Sequence, residues 1–367
     1  MLIFTAYIVG AKNKHGNFTL YSQTSPYQVP RNKTFTSDNF TYRTSSDIFG
    51  HMNQLVPSAV VLPVEIADRL DAWAVEARAA FSENTQRAYA ADSRAYAAWC
   101  AAQRIVALPA QPTHVAAYLR SEIEAGKSVA TVRRRAATIS RMHMAAELPN
   151  PCASELVKLA LKGIARAKGT DQRQAAPVTE RDAFRIRAHL GDSAKDLRDL
   201  ALLLVGRDVL ARSSELVSLQ AGDVEFTDAG AVLKLRRRKT STDSQACYIG
   251  HEATEALRNW MTRVGIAEGP VFRSLTRGGR PTDLALDTRD VRRIFKGLAS
   301  RAKLAHAPGV SGHSVRVGMS QDLIAADVDM AAVMQAGGWS TPRMVARYTA
   351  RVAATRGAVA RYYSKRA

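Results

Sequence analysis

The chain has 367 residues, 46% of them hydrophobic, and its 52 Lys and Arg against 33 Asp and Glu leave a formal net charge of +19. The apolar fraction excludes a mostly disordered protein, and the length suffices for two domains of ordinary size. The excess of positive charge points to a polyanionic partner, nucleic acid first, over a basic surface that is merely solvated. Cys100, Cys152 and Cys247 are widely spaced and odd in number, so no disulfide framework is expected, and a reducing cytoplasm with nucleoid association is the expected location. No apolar run approaches the roughly 20 residues that span a bilayer.

Residues 1–60 differ from the rest. They are rich in Asn, Thr, Ser, Tyr and Phe and show no strong helical period. They read as a flexible tail or as an upstream extension, with Met52 an alternative start. Residues 61–168 carry a helical period. Ser82 can cap a helix with Tyr89, Tyr96, Trp99 and Cys100 on one face and Arg87 and Arg94 elsewhere. Val115, Leu119 and Ile123 mark a second helix. Val132, Ala136, Ile139 and Met142 mark a third, whose other faces hold Arg133, Arg134, Arg135 and Arg141. Leu156 to Ile164 gives a last one, ended near Gly169. An all-α domain with an arginine-rich face is expected, and that face either contacts a nucleic-acid backbone or is simply solvated. His143, on the apolar stripe, reads as a packed core histidine.

Residues 169–178 hold Gly and Pro without apolar anchors and read as a linker. Residues 179–367 then form a second, mostly helical domain with a small β-sheet. Leu197, Leu200, Ala201 and Leu204 mark a buried helix that leads into DVLARSSELVSL. Ala231–Leu235 and Gln245–Ile249 read as paired strands around a basic tip, RRRKTSTDS. Trp260 is placed at the close of a helix beginning near Glu252. TRGGRP is a turn and not a phosphate loop, since no Lys-Ser/Thr follows it. Thr288 is expected to cap a helix with Val291, Ile294, Phe295 and Leu298 inward. Arg289, Arg292, Arg293 and Lys296 face outward, as on a helix laid in a major groove.

The chemistry gathers in SGHSVRVG and MQAGGWSTPRMVARYT. A phosphodiester gains charge on its nonbridging oxygens as it is attacked, and that charge is met by metal ions or by fixed cationic donors. The sequence holds no paired metal-binding carboxylates, C-x-x-C or H-E-x-x-H, so no metal site and no cofactor are expected. Arg212 and Arg316 offer planar forks that stay charged. His313, one turn before Arg316, is a third donor or a proton acceptor. Trp339 can donate its indole N–H. Tyr348, on a helix opened by Pro342, is the nucleophile candidate, and Lys239 at the hairpin tip is the candidate acid for the leaving oxygen.

This ordered set resembles the tyrosine recombinase (phage integrase) family over about Phe81 to Arg361, and within it the Cre-like branch. The resemblance implies a two-domain, C-shaped clamp on a DNA duplex, with a helical core-binding domain and a mixed, mostly helical catalytic domain. It implies Arg212 and Arg316 as catalytic arginines with His313 beside them, Glu215 in support, Lys239 as general acid with Lys234 as its competitor, and Trp339 where most relatives carry His. Tyr348 would form a 3′-phosphotyrosyl bond without metal or ATP. TARVAATRGAVARYYSKRA is similar to a tail helix donated to a neighbouring protomer, which implies a homotetramer on paired sites bearing inverted repeats. Val-Leu-Ala stands before Arg212 where relatives commonly have Thr-Gly-Leu.

Overall fold

The computed structural model describes residues 9–12, 18–21, 64–170, 174–235 and 245–364. They divide into two compact units, Met1–Gln172 and Arg173–Ala367. The division falls inside the stretch expected as a linker, of which residues 171–173 lie outside the described residues. The end of that stretch is tied down. Ala176 N donates to Gly309 O and Val178 N to Ser314 O, each at 3.0 Å, and Val178 is fully buried.

In the first unit, β1 (Val9–Lys12) and β2 (Phe18–Tyr21) pair antiparallel, where no regular structure was expected. Their β-branched and aromatic residues suit a strand. The rest of residues 1–63, Met52 included, lies outside the described residues. The helices α1 (Val64–Ala80), α2 (Glu83–Ala102), α3 (Pro112–Glu124), α4 (Val129–Ala145) and α5 (Glu155–Lys168) follow. Serines start three of them, and two cap through the side chain: Ser82 Oγ accepts from Thr85 N at 3.3 Å, and Ser128 Oγ from Thr131 N at 3.2 Å, whereas Ser154 before α5 makes no such bond. Tyr96, Cys100, Val115, Tyr118, Leu119, Val132, Ile139 and Val157 close the core between α2, α3, α4 and α5.

His143 sits in this unit as a buried, neutral group. Its Nδ1 lies 2.8 Å from Ile139 O and its Nε2 accepts from Ala110 N at 2.9 Å, which assigns the proton to Nδ1. Burial holds its pKa below the usual histidine range, against a smaller opposing effect of the Ile139 carbonyl. An unfolded-state histidine titrates near ~6.5. The stability this ring contributes is therefore complete above that pH and is lost as pH falls towards the folded pKa, by roughly 1.4 kcal/mol per pH unit. Melting of wild type and His143→Gln at pH 7.5 and 5.5 checks this. Wild type should lose more stability between the two pH values than the variant, and equal losses would refute the assignment.

The second unit is built around α7 (Ala194–Asp208), whose Ala201–Val205 run is buried on every side. Before it lies α6 (Glu180–Arg187) and after it the short α8 (Ser213–Val217). The strands β3 (Val224–Thr227), β4 (Gly230–Leu235) and β5 (Gln245–Ile249) form one antiparallel sheet in that order, with Leu235 opposite Gln245. Next come α9 (His251–Val264), a hairpin of β6 (Arg273–Leu275) and β7 (Pro281–Ala285), and α10 (Thr288–Arg301). The chain ends in α11 (Ser314–Ala325), α12 (Met330–Gly337), α13 (Pro342–Arg356) and α14 (Ala358–Ser364).

Two local expectations are corrected. Trp260 does not close its helix: α9 runs on to Val264, and the buried indole donates to Val271 O at 2.8 Å, a partner its N–H requires. Thr288 is not the cap of α10. Asp287 is, accepting from Arg289 N at 2.7 Å while Asp290 completes the capping box, because a carboxylate there meets the helix N-terminus better than a hydroxyl.

Candidate active site

Arg212 stands at the N-terminus of α8, one turn from Glu215. The Glu215 carboxylate is 4% exposed; it accepts from Arg212 N at 2.8 Å and from Arg212 Nη1 at 2.6 Å. One buried acid thus holds both the backbone and the guanidinium of Arg212. The Arg212 side chain remains 39% exposed, and its Nε and Nη2 have no hydrogen-bond partner among the described residues. These are open donors on a fixed fork.

Two residues earlier, Leu210 adopts φ 47°. A left-handed conformation costs a non-glycine residue roughly 1–2 kcal/mol, which is why the position suits the glycine of the Thr-Gly-Leu turn. Here burial of the leucine side chain opposes the strain, and the Leu210 carbonyl accepts from Arg316 Nη1. Arg316, in the first turn of α11, is only 2% exposed. Its Nη2 donates to Gly337 O at 2.6 Å, and its Cζ lies 3.9 Å from the Trp339 ring centroid. Two carbonyls and one indole face fix the plane of the guanidinium.

His313 caps the same helix from an exposed position, its N–H bonded to Ser311 Oγ at 3.2 Å. Its pKa is depressed first by desolvation, then by the Arg316 and Arg212 guanidiniums. Both arginines therefore lie near enough to oppose protonation, and the ring is neutral at pH 7, able to accept a proton. A ring titration followed by NMR tests this geometry. In Arg212→Gln the His313 midpoint should rise towards the ordinary value but not reach it, since the desolvation of the ring by its neighbours and the Arg316 charge persist. An unchanged midpoint would separate Arg212 from His313.

The turn from α12 to α13 delivers the remaining residues. Gly338 ends α12 at φ 63°, the left-handed cap that only glycine takes without strain. Gly337 gives the Trp339 ring its place: a Cβ there would stand 1.9 Å from Trp339 Cζ3. Thr341 precedes Pro342 at the N-terminus of α13 but makes no side-chain cap bond. On α13, Val345 and Thr349 are buried and Tyr348 is half-buried beside them. The Tyr348 ring meets Trp339 edge-on, centroids 6.0 Å apart. Neither Trp339 Nε1 nor Tyr348 Oη has a hydrogen-bond partner among the described residues. Arg316, Trp339 and Tyr348 thus form one stack, with a donor and a hydroxyl open beside it.

Lys239 and the rest of residues 236–244 lie outside the described residues. The base of that hairpin is described. Gln245 Nε2 donates to Gln335 O at 2.9 Å, tying the start of β5 to the last turn of α12, four residues before Trp339. Lys234, the competitor, is exposed on β4. The sequence does not mark Gln245 or Leu210, and it marks Gly337 only as a residue that permits the turn before Trp339, not as a carbonyl that holds Arg316. Backbone acceptors carry no residue-type signal, and a lone glutamine beside a basic tip carries little.

The other basic candidates fall into groups. Arg87, Arg94 and Arg133 are exposed, and Arg87 is bonded to Asn84 Oδ1 at 2.8 Å. Arg134 pairs at 2.5 Å with Asp92, which is buried. Arg135 does not belong to the exposed face: its side chain is 14% exposed, paired with Glu122 and Asp92 and bonded to Tyr118 Oη at 2.8 Å. Arg141 is half-buried over the Phe81 ring. On α10, Val291, Ile294, Phe295 and Leu298 are buried, and Arg289, Arg292, Arg293 and Lys296 are exposed. Arg289 and Arg293 reach back to Asp287 and Asp290. Among the described residues no helix is long and apolar enough to cross a membrane.

Comparison with known proteins places this geometry in a family. The model of the phage integrase family matches residues 177–354. The integrase/recombinase XerD homolog of Selenomonas ruminantium is 31% identical over 280 residues, covering 73% of this chain and 81% of that protein. Recombinase Cre of Escherichia phage P1 is 29% identical over 304 residues, covering 77% and 89%. With identities so close, the Cre-like branch is not singled out over the Xer recombinases. Among solved structures, the Tn1549 transposon integrase in complex with transposon right end DNA superposes with a TM-score of 0.57 at 14% identity, over 80% of this chain and 99% of that one. A lambda integrase dimer bound to a COC′ core site gives 0.52 at 17%, over 77% and 76%. These two likenesses concern the fold, a mainly helical chain with a small β-sheet in its C-terminal region. By its sequence match over most of its length, the chain belongs to the tyrosine recombinase (phage integrase) family.

Proposed function

We propose that the protein is a site-specific DNA recombinase that cleaves and rejoins a duplex through a 3′-phosphotyrosyl intermediate. The observation that carries the reading is the contact of Arg316, Trp339 and Tyr348, beside a His313 kept neutral first by desolvation and then by Arg316 and Arg212. In this reading Tyr348 Oη attacks the phosphorus, a P–O(Tyr) bond forms, and the P–O5′ bond breaks. His313 takes the phenol proton, and Lys239 gives one to the leaving 5′ oxygen. Arg212, Arg316 and Trp339 meet the charge on the nonbridging oxygens. Glu215 keeps Arg212 in place. The phosphotyrosyl bond conserves the energy of the phosphodiester, so rejoining runs the same steps in reverse without ATP or metal.

The reading takes Lys239 over Lys234 as the acid; Gln245 ties the base of the hairpin to the turn that presents Trp339, and Lys234 is exposed on β4. For the DNA, the reading assigns α10 with Arg289, Arg293 and Lys296 to a major groove, and Arg87, Arg94, Arg133, Arg134 and Arg141 to the backbone. Arg135 is assigned a structural part instead. The reading gives each unit a part in binding the duplex. A homotetramer would assemble on paired sites with inverted repeats, each protomer donating its tail helix, and the protein would work at the nucleoid. Placement in a Cre-like branch rests on Trp339 and the SGHSVRVG stretch.

The test is a nicked suicide duplex carrying a target site selected from a random-sequence pool by binding. Wild type should become covalently attached to it. Relaxation of a supercoiled plasmid that lacks the site would favour a type IB-like topoisomerase, and tight binding without attachment a non-catalytic regulator.

A further inference from the structure

Tyr348 lies in the middle of α13, where its carbonyl belongs to the regular helical ladder. Two side-chain amides converge on that same carbonyl. Gln321 Nε2 donates to it at 2.9 Å from α11, and Gln174 Nε2 at 3.3 Å from the segment that leads into α6. A mid-helix carbonyl needs neither bond for satisfaction, and two long polar side chains lose rotamer freedom to make them.

Gln321 shares a helix with one of the candidate donors, and the segment of Gln174 is bonded to the start of that helix. Gln321 lies on the helix that carries Arg316, and His313 caps that helix. The segment of Gln174 is bonded through Val178 N to Ser314 O, in the first turn of α11, and through Ala176 N to Gly309 O. Arg207 Nη1 adds a bond to Val178 O at 2.6 Å, and its Nη2 meets Asp322 Oδ2 at 2.9 Å, beside Gln321. The donors and the tyrosine turn are therefore tied to one frame.

We propose that Gln321, with Gln174 as a second arm, is a positioning residue that sets the rotation of α13 so that Tyr348 Oη faces the phosphate. The proposal rests on the reading of Tyr348 as the nucleophile. The leverage is large. Turning the helix by about 15° moves a phenol oxygen by roughly 2 Å, and a misplacement of about 1 Å can cost ~100-fold in rate.

The experiment uses the full chain and the selected suicide duplex, with single-turnover attachment, duplex affinity and melting temperature measured between pH 5.5 and 8.5. Gln321→Glu keeps the size but has no donor when ionised, and regains an O–H donor when protonated. We expect attachment by Gln321→Glu to fall about 10- to 100-fold at pH 8, with duplex affinity within about threefold of wild type. Its rate relative to wild type should recover as pH falls, whereas Gln321→Ala should show no such recovery. Gln174→Glu should lose less, roughly 3- to 10-fold, and decides the matter if Gln321→Glu does not fold. Wild-type rates in both Glu variants, or a deficit equal at every pH and shared by Gln321→Ala, would overturn the positioning role. A wild type that never attaches to DNA would instead remove the Tyr348 reading on which the role depends.

Discussion

Replacing Tyr348 with Phe should abolish covalent attachment to the suicide duplex, a fall on the order of 10⁴-fold or more, as for removal of other enzymic nucleophiles. Duplex affinity and melting temperature should stay close to wild type. The change removes one exposed-side hydroxyl that makes no hydrogen bond among the described residues, and the ring keeps its edge-on contact with Trp339. Tyr362 and Tyr363 do not offer a substitute. They lie on α14, exposed and packed against each other. Equal trapping by wild type and Tyr348→Phe, measured by denaturing gel, would place the nucleophile elsewhere or nowhere.

The second large effect is expected at Arg316, and it has two separable parts. Arg316→Ala should destabilise the second unit by about 3–5 kcal/mol, because it leaves the buried Leu210 and Gly337 carbonyls without their donor and strips the Trp339 face of its cation. In a unit of this size that corresponds to a drop in melting temperature of roughly 10 °C. Arg316→Lys isolates the chemistry. An ammonium can still donate to a carbonyl, so much of the stability should return. It cannot lie flat on the indole while presenting a second pair of donors to phosphate. Attachment should therefore stay down by about 10²–10³-fold in a variant that folds. A Lys variant that cleaves like wild type would show that position 316 supplies charge alone.

Legibility in the sequence varied from element to element, for physical reasons. Ser82 and the faces of α2, α4 and α10 could be read because a helix that buries one side must repeat its apolar residues at helical spacing. The β4–β5 pairing could be read because a basic, turn-rich tip separates two short apolar runs. Thr288 was mistaken for a cap because Asp287 and Thr288 are both good caps, and only the backbone shows which residue stands outside the helix. Trp260 was mistaken for a terminus because α9 carries its polar residues on past it until Gly265 takes the left-handed cap. Arg135 was grouped with its exposed neighbours because three consecutive arginines look alike in sequence. They point in different directions on a helix, and only the partners Glu122 and Asp92 separate one from the others.

By itself, the sequence determined which side chains are available for the proposed chemistry and in what order they occur: Arg212, Lys239, His313, Arg316, Trp339 and Tyr348. Residue type decides what a group can donate, accept or attack with, and that property is local. Tertiary structure alone decided that Arg316 lies buried between the carbonyls of Leu210 and Gly337 and against Trp339, and that desolvation, helped by two arginines, keeps His313 neutral. It also decided that two distant glutamines meet on the Tyr348 carbonyl. Those facts depend on distances between residues far apart in the chain and on backbone acceptors that every residue possesses, so no pattern of residue types announces them.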